Sequence, residues 1–161
     1  MDKQTFTARV MEAENSLYRV ARTILSCDSD CEDAVQEAIL KAWEKRNTLR
    51  EERYFKTWLT RILINESYRL ARRRPDCLPL ESCEHLETPQ GEPVDTSLRE
   101  AVLALPEKLR LPVVLCYVEG YSVQEAGRLL RIPAGTVKSR LSRARSVLRE
   151  TLCDPDQGGS L

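Results

Sequence analysis

The sequence predicts an all-α protein of two small helical domains joined by an acidic linker, the second domain carrying a helix-turn-helix. Three observations predict it. Apolar residues recur at helical spacing in successive stretches between Thr5 and Leu152. Residues 75–95 hold four prolines and six acids but no base, and little periodic apolar content. Ser122–Arg149 reads as two helices around a tight turn, the second strongly basic.

Thr5–Leu25 is expected to form the first helix, with Phe6, Val10, Leu17, Val20, Ala21 and Leu25 facing inward. The polar break Ser26–Asp30 offers Asp28 or Asp30 as N-cap of a second helix from about Cys31 to Arg46. That helix has acids at its start and Lys41, Lys45 and Arg46 at its end, which suits the helix dipole. Val35, Ala38, Ile39 and Ala42 make its apolar stripe, and Asp33, Gln36, Glu37 and Lys41 project elsewhere. Pattern alone reads that polar strip as a solvated face.

Asn47–Arg53 is a charged loop without helical periodicity. A third helix is expected over Tyr54–Arg73, with Phe55, Leu59, Ile62, Leu63 and Leu70 on its core side. On another side Arg61, Asn65, Tyr68 and Arg72 stand at i, i+4, i+7 and i+11, with Trp58 at the edge. Cations, an amide and aromatic rings in one row can hold phosphates, read base edges and stack on unpaired bases. Complementing the helix C-terminus would account for Arg72, Arg73 and Arg74, but not for Trp58, Asn65 and Tyr68. Glu66 falls among the core positions, where the sequence shows no partner for it.

Beyond the linker, helices are expected over Thr96–Leu105 and Pro106–Val118, parted by the effect of Pro106 on its predecessor. Pro112 inside the second predicts a kink or an early start. Gly120 ends it. Ser122 can cap the next helix by bonding the amide of Glu125, and Val123, Ala126, Leu129 and Leu130 form its buried face. Pro133 ends that helix and can begin another.

On a wheel of about 100° per residue, Val137, Leu141, Ala144, Leu148 and Leu152 form the core side of the last helix. Ser139, Ser142, Arg143 and Ser146 lie opposite, with Lys138, Arg145 and Arg149 on one flank and Arg140 on the other. Ala134–Arg149 contains five bases and no acid, whereas a merely solvated helix usually mixes signs. Small hydroxyl residues let a helix sit deep in a groove while flanking cations reach phosphates. The pattern points to DNA.

Formal net charge is zero, yet residues 1–74 and 96–161 are each at +3 and residues 75–95 at −6. That distribution fits two basic blocks on an acidic tether. No leader opens the chain and no apolar run approaches a membrane span, so a cytoplasmic protein is expected, with reduced thiols. The six cysteines match no common zinc spacing, and Cys77, Cys83 and His85 would need a fourth ligand. No metal and no cofactor are expected, and Cys116 is assigned to the core.

Three stretches resemble the extracytoplasmic-function class of bacterial RNA-polymerase sigma factors: DCEDAVQEAILKAW (30–43), YFKTWLTRILINESYRLARRRP (54–75) and LPEKLRLPVVLCYVEGYSVQEAGRLLRIPAGTVKSRLSRAR (105–145). Their order and spacing carry the specificity. The resemblance implies that residues 1–74 are sigma domain two and 96–152 sigma domain four, with 75–95 a flexible linker and 153–161 a disordered tail. It implies binding of the clamp helices of core polymerase through Asp33, Gln36, Glu37 and Lys41, which reverses the solvated-face reading, and binding of the flap. The −10 element would be melted and held by Asn47–Arg53 and by Trp58, Arg61, Asn65, Tyr68 and Arg72. The −35 element would be read by Thr136, Lys138, Ser139, Arg140, Ser142 and Arg143.

Promoter DNA and core polymerase are thus the expected partners, with no small-molecule substrate. An inhibitory anti-sigma factor, a candidate for membrane attachment, is expected because an always-active sigma would divert polymerase. No nucleophile, acid–base pair or metal site accompanies these residues, so no enzyme is expected. Two other classes stay open on the residues alone. One is a helix-turn-helix regulator acting without core polymerase; the other is a thiol or metal sensor on Cys77, Cys83 and His85.

Overall fold

Asp2 sets the start of the chain's first helix by accepting the Thr5 amide at 3.1 Å. Helix α1 runs Lys3–Ile24, two residues earlier than the apolar periodicity suggests, because the cap precedes the first apolar residue. The computed structural model describes residues 1–73 and 96–153. The linker expected at 75–95, with Cys77, Cys83 and His85, and the tail at 154–161 lie outside the described residues. The chain divides into two units, Met1–His85 and Leu86–Leu161. Among the described residues every regular element is a helix.

In the first unit α1, α2 (Asp28–Glu44) and α3 (Phe55–Arg73) pack on one another. Neither Asp28 nor Asp30 caps α2: Cys27 holds the N-cap position without a side-chain capping bond, and Asp28 is already helical. Its carboxylate instead receives the Tyr18 hydroxyl and the Arg22 guanidinium, each at 3.1 Å, which ties α1 to the start of α2. Leu17, Val20 and Ala21 of α1, Ala34, Ala38 and Ala42 of α2, and Leu59 and Leu63 of α3 are all buried in the core that these helices share. The small alanines of α2 let the backbones approach closely. Val10 is only half-buried, and Ile64, absent from the expected core, is buried.

Aromatic rings continue this core in a chain. Phe6 meets Trp43 at 5.1 Å and Phe55 at 5.6 Å, both edge-on, and Phe55 meets Trp58 at 5.9 Å. Between α2 and α3 the loop is partly regular, with 3₁₀ turns at Arg46–Thr48 and Glu52–Tyr54. Tyr54 therefore precedes α3 rather than opening it.

The second unit contains α4 (Thr96–Leu103), α5 (Glu107–Val113), α6 (Val123–Leu130) and α7 (Ala134–Cys153). Pro112 lies one residue before the end of α5 and is buried. It removes one amide from the ladder, and the chain continues as a π-helical turn over Val114–Val118. There the Glu119 amide reaches Val114 O, and Gly120 then turns the chain at φ 78°. The turn leaves Cys116 only half-buried, a correction to its assignment as core. Leu111, Leu115, Leu129, Val137, Leu141 and Ala144 form the core of this unit. Leu152, expected inside, is 43 % exposed, in a last turn of α7 whose residues 149–153 are all exposed. Cys153 is helical rather than the first residue of the tail.

Candidate nucleic-acid interfaces

Burial of Phe55, Leu59, Leu63 and Ile64 fixes the rotation of α3. That rotation exposes Arg61, Asn65 and Arg72 and leaves Trp58 and Tyr68 half-buried, so the predicted row shares one face. Among the described residues no hydrogen bond or ion pair holds Arg61, Asn65 or Arg72. Trp58, expected at the row's edge, is also the last ring of the aromatic chain and supports the core with one part of its surface.

Sequence reasoning missed Tyr54. It is half-exposed, with the Arg53 guanidinium 4.8 Å from its ring centre, and Arg53 is held in turn by Glu51 at 2.6 Å. Tyr54, Trp58, Arg61 and Asn65 stand at i, i+4, i+7 and i+11, so the spacing already extended the row by one turn. An aromatic ring backed by a cation is a stacking platform for a base.

On α2, Asp33 and Gln36 are exposed and Glu37 is half-buried. Lys41 is half-buried, and its ammonium donates to the Glu66 carboxylate of α3. Arg69 Nε donates to the other oxygen at 2.8 Å. Glu66, left without a partner by the sequence, thus sits buried between two cations. Burial pushes its carboxyl up, but the hydrogen bonds from Lys41 and Arg69 outweigh this and hold it below the usual carboxylate range. Leu40 is 60 % exposed beside the strip, a large apolar side chain that fitted neither the apolar nor the polar stripe.

In the second unit Ser122 Oγ accepts the Glu125 amide at 3.1 Å, as the capping pattern predicts. Helix α6 ends at Arg131, a non-glycine residue at φ 58°. The turn into α7 is tight enough that a Cβ on Gly127 would lie 2.8 Å from Ile132 O. Helix α7 then exposes Lys138, Ser139, Ser142 and Arg143, with Thr136 and Arg140 half-buried. Ser139 donates to Gly135 O at 3.1 Å and Ser146 to Ser142 O at 3.2 Å. These hydroxyl protons are engaged, which leaves both oxygens to act as acceptors only. Arg145 is not a free flank cation: its Nη1 donates to Tyr117 Oη at 2.9 Å. Groups chemically able to bind phosphates and read base edges thus stand on two separate helices, α3 and α7.

Comparison with known proteins finds a family match within each unit. The family description Sigma-70 region 2 matches residues 10–75, and Sigma-70, region 4 matches residues 95–148. The chain is 29% identical to the ECF RNA polymerase sigma factor SigW of Bacillus subtilis, covering 95% of this chain and 91% of that protein. It is 31% identical to SigM of Mycobacterium tuberculosis, covering 94% and 79%. It is 31% identical to the sigma-E factor of Escherichia coli K12, covering 91% and 86%. Among solved structures, the sigma factor RpoE bound to the anti-sigma factor NepR from Bartonella quintana aligns with TM-score 0.72. Its identity is 27%, over 94% of this chain and 98% of that one. CnrH, solved with the cytosolic domain of CnrY, shares the fold at TM-score 0.68 and 23% identity, over 94% and 89%.

Proposed function

Since the chain belongs to the extracytoplasmic-function group of sigma-70 RNA-polymerase sigma factors, we infer that its two exposed basic rows act at the two elements of one promoter. The protein is an alternative sigma factor that directs transcription. In this reading residues 1–74 form domain two and 96–152 domain four. Asp33, Gln36 and Glu37 on α2 meet the clamp helices of core polymerase, with exposed Leu40 beside them as an apolar contact.

Row Trp58, Arg61, Asn65, Tyr68 and Arg72 holds the melted −10 strand. Separation costs about 1.4 kcal/mol per base-pair step, and captured bases recover about 1–3 kcal/mol each by stacking. Row Thr136, Lys138, Ser139, Arg140, Ser142 and Arg143 reads the −35 element. The observation that carries the reading is Asn65: an exposed amide between the Arg61 guanidinium, unpaired among the described residues, and an aromatic ring at Tyr68. That arrangement suits an extruded base better than a paired one. A regulator acting on duplex DNA alone gains nothing from it.

The polymerase supplies the chemistry, and this chain is no catalyst. Its place is the cytoplasm; among the described residues no helix is long and apolar enough to cross a membrane. An anti-sigma factor, soluble or membrane-attached, holds it inactive. The test is reconstitution: core polymerase with and without the protein, run on a promoter library, with bound DNA sequenced. Enrichment of paired −35 and −10 motifs only when both are present supports the reading; enrichment by the protein alone sinks it. Glu37→Lys should abolish co-purification with core polymerase without loss of helical content.

A further inference from the structure

Lys41 and Glu66 connect the two helices to which the proposed function gives different partners, α2 for polymerase and α3 for the melted strand. Glu66 is 5 % exposed and belongs to α3, next in sequence to Asn65 and two residues before Tyr68. Its carboxylate takes Lys41 from α2 on one oxygen and Arg69 from α3 on the other. The first bond crosses between helices; the second fixes the carboxylate on its own helix.

Stability alone is a weak reason to keep such a group. Burying a carboxylate is costly, and apolar replacement of a buried ion pair is often neutral or stabilising. What the pair offers over an apolar contact is direction. Apolar packing tolerates small rotations of α3 about its axis, whereas the Lys41 bond to a carboxylate that Arg69 holds in place on α3 resists them. With side-chain tips about 5–6 Å from a helix axis, a rotation of about 20° moves the Asn65 amide by about 2 Å, which breaks a hydrogen bond.

We propose that Glu66 is a positioning residue: its bond to Lys41 sets the register of α3 against α2, so that a sigma docked on polymerase through α2 presents Asn65 and Tyr68 in base-capturing geometry. The inference rests on the function proposed above. It also moves Lys41 from the polymerase-contacting set to the interior of the device, since the Lys41 ammonium is engaged with Glu66.

The test uses holoenzyme assembled with the full-length protein. Glu66→Gln keeps the shape of the side chain but removes its charge. Lys41→Met combined with Glu66→Leu replaces the ion pair by apolar packing. Both should open a duplex promoter about tenfold more slowly, the scale of coupling between packed elements. Glu66→Gln should bind core polymerase as tightly as wild type, and the double variant should unfold at the wild-type temperature or above. Loss of opening without loss of stability is what a merely structural pair would not give. Lys41→Arg, which retains the cation, should recover most of the rate.

If the double variant is as stable as wild type and opens at the wild-type rate, register does not depend on the pair and the proposal falls. It falls equally if opening drops only in proportion to unfolding, or if Glu66→Gln weakens core binding enough to explain the loss. Failure of the wild-type holoenzyme to open any promoter would instead sink the underlying reading of α2 and α3.

Discussion

Arg145 on α7 donates from Nη1 to the hydroxyl of Tyr117, 2.9 Å away on the π-helical turn. Both side chains are exposed, so the bond steers a cation rather than neutralising it. Tyr117→Phe should release Arg145 and weaken promoter binding about two- to tenfold, the net scale of one hydrogen bond, on all sequences alike. Binding titrations at several salt concentrations check this. A loss confined to particular −35 bases would show that Tyr117 itself reads sequence.

Arg143 faces outward from the middle of α7. Arg143→Ala should cost roughly 1–3 kcal/mol of promoter binding, concentrated on particular −35 bases. Arg149→Ala should weaken every sequence alike and reduce the salt slope by about one. Competition assays over a set of single-base −35 variants separate the two; identical profiles would remove base contact from Arg143.

Asn65→Ala should leave closed-complex formation by the holoenzyme nearly intact and lower open-complex formation on duplex promoter. A template already mismatched at the −10 element should restore much of the activity, since the unstacking cost of a few kcal/mol is then met in advance. Permanganate footprinting reads both states. Normal melting by the variant would reduce Asn65 to a surface residue.

Gly127→Ala reverses the usual sign of that change. In an ordinary helix alanine is better by up to about 1 kcal/mol. Here the added Cβ meets Ile132 O at 2.8 Å, a backbone atom that cannot swing aside. A loss of about 1–3 kcal/mol is expected, the scale of overpacking, read as a lower unfolding temperature of the full-length protein. An unchanged or higher temperature would mean that the turn relaxes freely.

Alkaline pH should loosen the first unit through Tyr18. Burial and then the bond to Asp28 push its phenol up to about 12. An unfolded tyrosine ionises near 10, so its contribution is complete below about pH 10 and is lost as pH rises toward 12. Tyr18→Phe should flatten that part of the stability profile, measured by urea unfolding between pH 9 and 11. A slope equal to wild type would assign the alkaline loss to other groups.

Where a single periodicity decided an element, the sequence was legible. The three helices of the first unit and the outward faces of α3 and α7 follow from apolar spacing, and the capping by Ser122 from the glutamate three residues on. What stayed hidden depended on contacts distant in sequence. Glu66 looked misplaced because its partner Lys41 is 25 positions away, and Arg145 looked free because Tyr117 is 28 positions away. Asp28 read as a cap because local rules cannot see Tyr18 and Arg22 turning toward it. Leu152 read as core because a wheel gives the side a residue lies on and not whether anything packs there.

The π-helical turn at Val114–Val118 works as a phase shifter. One surplus residue in a helical turn displaces every later side chain by about 100° relative to an uninterrupted α-helix. Tyr117 reaches Arg145 from within that shifted stretch. Deleting one residue there would give a straighter helix with nearly the same composition, yet it would turn the tyrosine away from α7. In this segment the number of residues matters as much as their identity, and length changes should be tolerated less well than substitutions.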